Sequence, residues 1–324
     1  MKVLLIGLGR WGEKHLRVLG ELGCEVWVAD VSAERRAFAV KSGVPEARAV
    51  ADFRAALPQV DAVDLVTPAD NHLALASECL QAGKDCFVEK PLTLTVAEGR
   101  ALAQAVRVTG RVLQVGHIFR FHPVTSFLRE RLRSGSVGAV RYCTGRFAGF
   151  KRPRTDVGVT QTDGIHYFDL FAYLLEREPT AVTATLRDYL GRGMDDLGVS
   201  AVEYGDVPAF VEAGYFAPGT YRDCVIVGEQ ETLAGDFGTA EVKVYANRHV
   251  RQGDAWNAPE GASSTHKATG PEPLSHELKL FLEACANRTA PAVDVEAGLL
   301  ALRVVEAAHQ SSKAQRRVLI EEVG

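Results

Sequence analysis

Val3-Leu4-Leu5-Ile6-Gly7-Leu8-Gly9-Arg10-Trp11-Gly12 is the stretch on which the fold turns. The apolar run reads as a buried strand. It stops at three glycines spaced G-x-G-x-x-G, which open a helix over Gly12–Leu22 with Leu16, Leu19 and Leu22 on its apolar side. Each glycine has a mechanical task in such a turn. Gly7 makes the tight bend, Gly9 lets the backbone approach a pyrophosphate, and Gly12 allows helix and strand to pack closely. The pyrophosphate then meets the amide N–H groups of the helix N-terminus, with Arg10 and Trp11 in the same loop. Asp30 closes the next strand, 21 residues beyond Gly9. A carboxylate there accepts a hydrogen bond from a ribose 2′-hydroxyl and repels a 2′-phosphate, which favours NAD. Arg35 and Arg36, at the start of the following helix, leave NADP open.

Working outward, short apolar runs alternate with helical patterns through the first ~120 residues, as βαβ units of a doubly wound parallel sheet require. Strands are expected at Glu25–Ala29, Ala62–Val66, Asp85–Val88 and Val112–Val115. The helices between them are expected at Ser32–Lys41 with Ser32 as N-cap, at 71–82 ending on Gly83, and at Val96–Val108 closed by Gly110. Beyond Phe121 the texture changes. A helix around Thr125–Leu132 is followed by strand-like runs at Val140–Gly149, Ala181–Leu186, Val199–Glu203, Phe210–Tyr215, Arg222–Val227 and Glu241–Tyr245. Consecutive strands without intervening helices predict a largely antiparallel sheet. Gly253–Pro273 reads as a polar surface loop, and helices at Ser275–Asn287 and Glu296–Gln310 close the chain. The fold class is therefore α/β, with a Rossmann domain over residues 1–120 and an α+β domain over 121–324. The final helix is a candidate to pack back on the first domain.

The chain has 324 residues, a length that suggests about two domains. With 37 Lys+Arg against 41 Asp+Glu, the net charge of −4 gives no electrostatic reason to expect a nucleic acid or an anionic membrane as partner. No apolar run approaches the ~20 residues of a membrane span. The six cysteines form no C-x-x-C pair and are scattered, so neither a disulfide framework nor a metal site is expected. The expectation is reduced thiols in a cytoplasmic protein, since the N-terminal apolar run is too short for a signal peptide.

Further segments resemble the Gfo/Idh/MocA oxidoreductase family. Val66-Thr67-Pro68-Ala69-Asp70-Asn71-His72 is similar to its T-P-x-x-x-H segment, and Ala82-Gly83-Lys84 through Glu89-Lys90-Pro91-Leu92 to its A-G-K-x-x-x-x-E-K-P-L segment. Thr162-Asp163-Gly164-Ile165-His166-Tyr167-Phe168-Asp169 is similar to its histidine segment, and the closing helix from Ala297 to Ser311 to its C-terminal signature. The resemblance implies an NAD(P)-dependent dehydrogenase that moves a hydride between a sugar hydroxyl or ketone and nicotinamide. It implies that Lys90 and His166 handle the hydroxyl proton, and that Glu89, Thr67, Pro68 and His72 belong with the cofactor. An unperturbed lysine is too basic for this task, and burial or nearby positive charge would lower it. The family's Lys-Pro bond is often cis. Members are typically dimers or tetramers through the second domain's sheet, for which Phe210, Tyr215, Tyr221 and Val225 are candidates, or equally for the core. In many members an aspartate stands four residues before the histidine. Here that position is Thr162, and Asp163 is the substitute to consider, since offsets of three and four share a helix face.

Val115-Gly116-His117-Ile118-Phe119-Arg120-Phe121-His122-Pro123 is similar to a run in members that oxidise nucleotide sugars, the UDP-N-acetylglucosamine 3-dehydrogenase-like subgroup, as is Arg154-Thr155-Asp156-Val157-Gly158-Val159. This makes Arg120, His122, Arg154, Asp163 and His166 candidates for the substrate. The cluster Arg146, Lys151, Arg152 and Arg154 would suit a diphosphate. A free polyol or monosaccharide such as inositol is the alternative substrate. A non-catalytic dinucleotide-binding regulator is the alternative function.

Overall fold

The computed structural model describes residues 1–324. The N-terminal segment runs β1 (Lys2–Ile6), α1 (Gly12–Glu21), β2 (Glu25–Ala29), α2 (Ala33–Lys41), β3 (Ala49–Val50), β4 (Ala62–Leu65), α3 (His72–Gln81), β5 (Asp85–Glu89), α4 (Val96–Thr109) and β6 (Leu113–Gly116). The six strands form one parallel sheet in the order β3-β2-β1-β4-β5-β6. The order reverses around β1, the arrangement that creates a ligand crevice beyond the carboxyl ends of the strands. β1, β4 and β5 are buried nearly throughout, as a sheet covered on both faces demands. The helix ends are those the sequence signals. Ser32 caps α2, Thr95 and Glu98 form a capping box at α4, and Gly110 closes α4 in the left-handed conformation.

The middle segment runs α5 (Pro123–Arg133), β7 (Val140–Gly149), α6 (Ile165–Leu175), β8 (Ala181–Arg187), β9 (Leu197–Tyr204), β10 (Val207–Gly214), β11 (Thr220–Gly228), β12 (Thr232–Asp236), β13 (Glu241–Tyr245), β14 (Val250–Gln252), β15 (Ala255–Asn257) and β16 (Ser263–Lys267). The C-terminal segment adds α7 (Pro273–Asn287), α8 (Val295–Ala314) and β17 (Val318–Leu319). No helix is long and apolar enough to cross a membrane.

The chain forms two compact units. The first comprises Met1–Ile118 and Glu272–Leu302, the second Phe119–Pro271 and Arg303–Gly324. The two-segment division at residue 120 is thus revised: α7 and the first part of α8 belong to the nucleotide-fold unit, and the rest of α8 to the other. Packing explains this return. Leu274, Leu278 and Phe281 of α7 join the core formed by Val3, Leu5 and Leu19, and the Phe281 ring meets Phe87 edge-on at 5.7 Å. The buried Gln114 amide of β6 donates to the Glu277 carbonyl at 2.9 Å and accepts from the Ala292 N–H at 3.3 Å, tying both ends of α7 to the sheet.

The second unit is built on a nine-stranded sheet ordered β16-β13-β12-β11-β7-β10-β9-β8-β17, antiparallel except for the parallel β7–β10 pair. Strands such as β10 alternate, with Val207, Ala209, Val211 and Ala213 buried and Phe210 exposed. Helices α5 and α6 cover the buried face. Gly145 is needed there, because a Cβ would lie 2.4 Å from the Tyr167 ring. The polar stretch Gly253–Pro273, read as a loop, contains β15 and the sheet's edge strand β16. β16 is Ser263-Ser264-Thr265-His266-Lys267 and fully exposed, so no apolar alternation marks it.

Candidate functional site

In the first unit the fingerprint has the backbone that its glycines imply. Gly7 adopts φ 95°, and a Cβ there would lie 2.7 Å from the Val66 carbonyl oxygen. A Cβ at Gly12 would lie 2.2 Å from the Gly7 carbonyl, whereas at Gly9 nothing lies within 4 Å. The open side of Gly9 is room for a ligand. Trp11 is the N-cap of α1 and makes no side-chain capping bond; the Glu13 and Lys14 N–H groups donate instead to the carbonyls of Gly9 and Trp11, both at 2.9 Å. A cleft of about 800 Å³ lies along this edge, lined by Gly7, Gly9, Asp30, Arg35, Thr67 and Pro68. These residues and this shape fit a dinucleotide. Phe53 and Arg54 also line the cleft, from a short 3₁₀ turn that no motif marks.

The Asp30 carboxylate is held at the end of β2 by the Leu8 N–H and the Ser32 N–H, both at 2.8 Å. Both nearby arginines are engaged. Arg35 pairs with Glu13 at 2.6 Å, and Arg36 donates to the carbonyls of Asp30 and Val31 at 2.7 and 3.0 Å. The Asp30 carboxylate, beside two compensated arginines, suits a ribose hydroxyl rather than a phosphate.

His72 has a different place from the one expected. It is buried, with Nε2 3.0 Å from the Thr67 carbonyl and Nδ1 3.0 Å from that of Pro91. Burial pushes its pKa down. It braces the loop after β4 against the turn after β5, and does not line the cleft. That turn contains Lys90, half-buried, and the Lys90–Pro91 peptide is cis. Arg10 is exposed and Gly12 serves helix packing, so neither lines the cleft.

Glu89, the last residue of β5, is buried and accepts from Trp11 Nε1 at 2.8 Å and from the Lys90 N–H at 3.1 Å. Beneath it lies a pair that the motifs do not flag. His15 Nδ1 is 2.8 Å from an Asp64 carboxylate oxygen and its Nε2 is 3.2 Å from Glu89. Burial opposes the imidazolium, but the two carboxylates outweigh it and raise His15 to about 10. Burial likewise pushes Asp64 up, against the pull of His15. At Glu89 burial acts upward too, and His15 and Trp11 overcome it to hold the carboxyl below its usual range. The signal for this pair is a charged residue inside the apolar run Ala62-Val63-Asp64-Leu65.

In the second unit His166 is buried in the first turn of α6, stacked on Phe119 at 4.6 Å and Phe147 at 5.5 Å. The preceding segment, Thr160–Gly164, is π-helical, so the α-helical offset rule does not apply to Thr162 and Asp163. The Asp163 carboxylate accepts from Lys151 Nζ at 2.6 Å.

Three other substrate candidates have structural partners. Arg120 forms a two-pronged pair with the buried Asp169, its Nε 2.8 Å from the carboxylate, and lies over the Tyr173 ring. His122 is the N-cap of α5, where Nδ1 accepts from the Val124 N–H at 3.2 Å and burial lowers its pKa. Arg154 pairs with Asp156 at 2.7 Å. Three of the four cations expected to suit a diphosphate already have carboxylate partners. Arg146 pairs with Asp223 at 2.9 Å and lies on the Tyr221 ring, Lys151 pairs with Asp163, and Arg154 with Asp156.

Residues 1–117 match the GFO_IDH_MocA profile, described as an oxidoreductase family with an NAD-binding Rossmann fold, and residues 126–234 match the GFO/IDH/MocA C-terminal domain. The UDP-N-acetylglucosamine 3-dehydrogenase of Acidithiobacillus ferrooxidans is 36% identical over 185 residues, an alignment spanning 57% of this chain and 57% of that protein. A solved structure of that enzyme superposes with a TM-score of 0.85 at 26% identity, covering 97% of this chain and 98% of the other. The inositol 2-dehydrogenase of Rhizobium meliloti is 28% identical over 98% of both chains.

Proposed function

Because the chain belongs to the Gfo/Idh/MocA family of NAD-binding oxidoreductases, we propose that it oxidises a secondary hydroxyl of a sugar, or reduces the corresponding ketone, and that its substrate is a nucleotide sugar or another phosphorylated sugar. The observation that carries the reaction is Lys90. It directly follows β5 at the carboxyl edge of the parallel sheet, and the preceding Glu89 is hydrogen-bonded to Trp11 of the fingerprint. Nicotinamide, when bound, supplies the hydride acceptor. Gly7, Gly9, the rest of the glycine turn before α1 and Asp30 would hold the dinucleotide. Lys90 as the free amine takes the hydroxyl proton during oxidation, and as the ammonium returns it during reduction. His166 donates a hydrogen bond to the reacting oxygen, its ring stacked on those of Phe119 and Phe147.

The nucleotide-sugar assignment is supported by the likeness to the UDP-N-acetylglucosamine 3-dehydrogenase and by the run Gly116–Pro123. A second reading, a free cyclitol or monosaccharide, is favoured by the paired cations. Arg146, Lys151 and Arg154 already face carboxylates, which lowers their value to a diphosphate. A panel of UDP-sugars, sugar phosphates, inositols and free sugars, followed by reduced-cofactor absorbance with NAD and NADP, separates the two. Turnover of UDP-sugars supports the first reading, and turnover of inositols alone the second. Lys90→Met should lower kcat by about 10²–10⁴-fold while retaining NADH binding. Wild-type turnover in that variant would refute the acid/base role, and tight NADH binding without turnover of any sugar would favour a regulator.

A further inference from the structure

Beneath the Lys90 turn the first unit buries three ionisable side chains in a line. Asp64 projects from the middle of β4, His15 from the second turn of α1, and Glu89 from the end of β5. Asp64 and His15 are fully inaccessible to solvent. The contacts of 2.8 Å and 3.2 Å let one imidazolium serve both carboxylates at once. Trp11 Nε1 fixes the Glu89 oxygen nearest His15, and the Lys90 N–H fixes the other. The β6 residue facing Glu89 is Gly116, where a Cβ would lie 2.9 Å from the carboxylate carbon. Every side of the Glu89 carboxylate is thus specified.

This is an expensive arrangement for a structural tie, since a buried charge loses its hydration and must be compensated by close partners. An apolar residue at position 64 would serve strand packing at less cost. What the line achieves is a buried Glu89 that stays ionised one residue from Lys90. Resting on the reading of Lys90 as the acid/base group, we propose that His15, backed by Asp64, is a positioning residue that fixes the orientation and charge of Glu89, and through it the proton affinity of Lys90. An ionised Glu89 favours the Lys90 ammonium, so the line sets the pH range over which Lys90 can exchange a proton. The other titratable groups facing it are Cys24 near Asp64, and His72 and Lys90 near Glu89. The rings of Trp11 and Phe87 enclose His15 edge-on at 5.8 and 5.7 Å, so an aromatic replacement retains the packing.

The test is the titration midpoint of Lys90 in the full chain, read by competitive acetylation across pH with mass spectrometry. It requires neither cofactor nor substrate. Glu89→Gln removes the neighbouring charge and should lower the midpoint by about one unit or more. His15→Phe removes the imidazolium, leaving burial to dominate at Glu89, which takes up a proton. The midpoint should fall by a similar amount. His15→Gln, which keeps a donor without the charge, should move it in the same direction, and decides the matter if the phenylalanine variant does not fold. Combining His15→Gln with Glu89→Gln should give no larger shift than Glu89→Gln alone. An unchanged or raised midpoint in the His15 variants overturns the proposal, as do shifts that simply add. Wild-type turnover in Lys90→Met would remove the acid/base reading, yet leave the measured coupling standing.

Discussion

Lys151 donates from Nζ to the carboxylate of Asp163 at 2.6 Å, an ion pair between the loop after β7 and the π-helical turn that precedes α6. The two partners are unequal, with Asp163 8% exposed and Lys151 37%. Lys151 also lies over the rings of Phe147 and Tyr215, so it joins this carboxylate to the aromatic floor beneath His166.

That asymmetry predicts which half of the pair matters more. Lys151→Met leaves a largely buried carboxylate without its cation, whereas Asp163→Asn leaves a partly exposed ammonium that water can reach. The first should cost about 1–2 kcal/mol of stability after allowance for the exposed lysine, and the second less. Urea midpoints of the two variants check the order. Equal losses would mean that the pair is solvated like a surface bridge.

The same pair shows where sequence reasoning succeeded and where it stopped. The parallel sheet and five of its six strands are legible because local chemistry fixes them: apolar runs, glycine turns and helix caps; the two-residue β3 is too short to show a pattern. Asp163 is visible as a candidate, but its partner lies 12 residues back on an irregular loop. The π-helical turn that reorients it has no sequence period to read. Arg120 and His122 carried the right chemistry for a ligand, yet Asp169 and the α5 N-terminus occupy them, contacts visible only in three dimensions. β16 was missed because an exposed edge strand has no apolar face to repeat. His15 lay on a helix face that looked merely amphipathic.

Asp30 offers a test of cofactor choice. Its carboxylate restrains Leu8 and Ser32 through their N–H groups, and on the proposed reading would accept from a ribose hydroxyl. Asp30→Ala should weaken NADH binding about tenfold or more, through loss of a charge-assisted hydrogen bond. Its effect on NADPH should be smaller, since a repulsive charge leaves with it. Titrations of both reduced cofactors check this, and an unchanged ratio of affinities would dissociate Asp30 from the choice.

The raised pKa of His15 predicts a pH dependence of stability. Its value moves from 6.5 to about 10, so folding is linked to protonation of the ring. The stabilisation from this group is fully present below pH 6.5, where even the unfolded chain holds the proton. It declines above that and is lost as pH rises through about 10. Glu89 acts in the opposite window. With its pKa lowered, its contribution is present above 4.5 and is lost as pH falls through the folded value. Urea denaturation of wild type and His15→Phe across pH 6–10 checks the sign. The stability difference between them should shrink as pH rises, and a constant difference would mean that the ring is held neutral.

The outer face of the nine-stranded sheet leads to the last prediction. Inner positions of β10 are buried, while Phe210 is 46% exposed and its ring meets Tyr142 of β7 edge-on at 6.4 Å. Val199 of β9 is also exposed, and strand alternation puts Val225 of β11 on the same side. Tyr215, a candidate for the same role, is instead buried in the core. Contiguous apolar side chains on a sheet surface mark an association face, and a second copy of the chain is the simplest occupant, since a two-fold axis lets one face serve both partners. Light scattering of the purified chain should therefore give a dimer or tetramer. Phe210→Asp would put two buried charges against each other across such an axis, and should shift the population to monomer while leaving each unit folded by circular dichroism. An oligomer with the same mass in that variant would locate the interface elsewhere on the second unit.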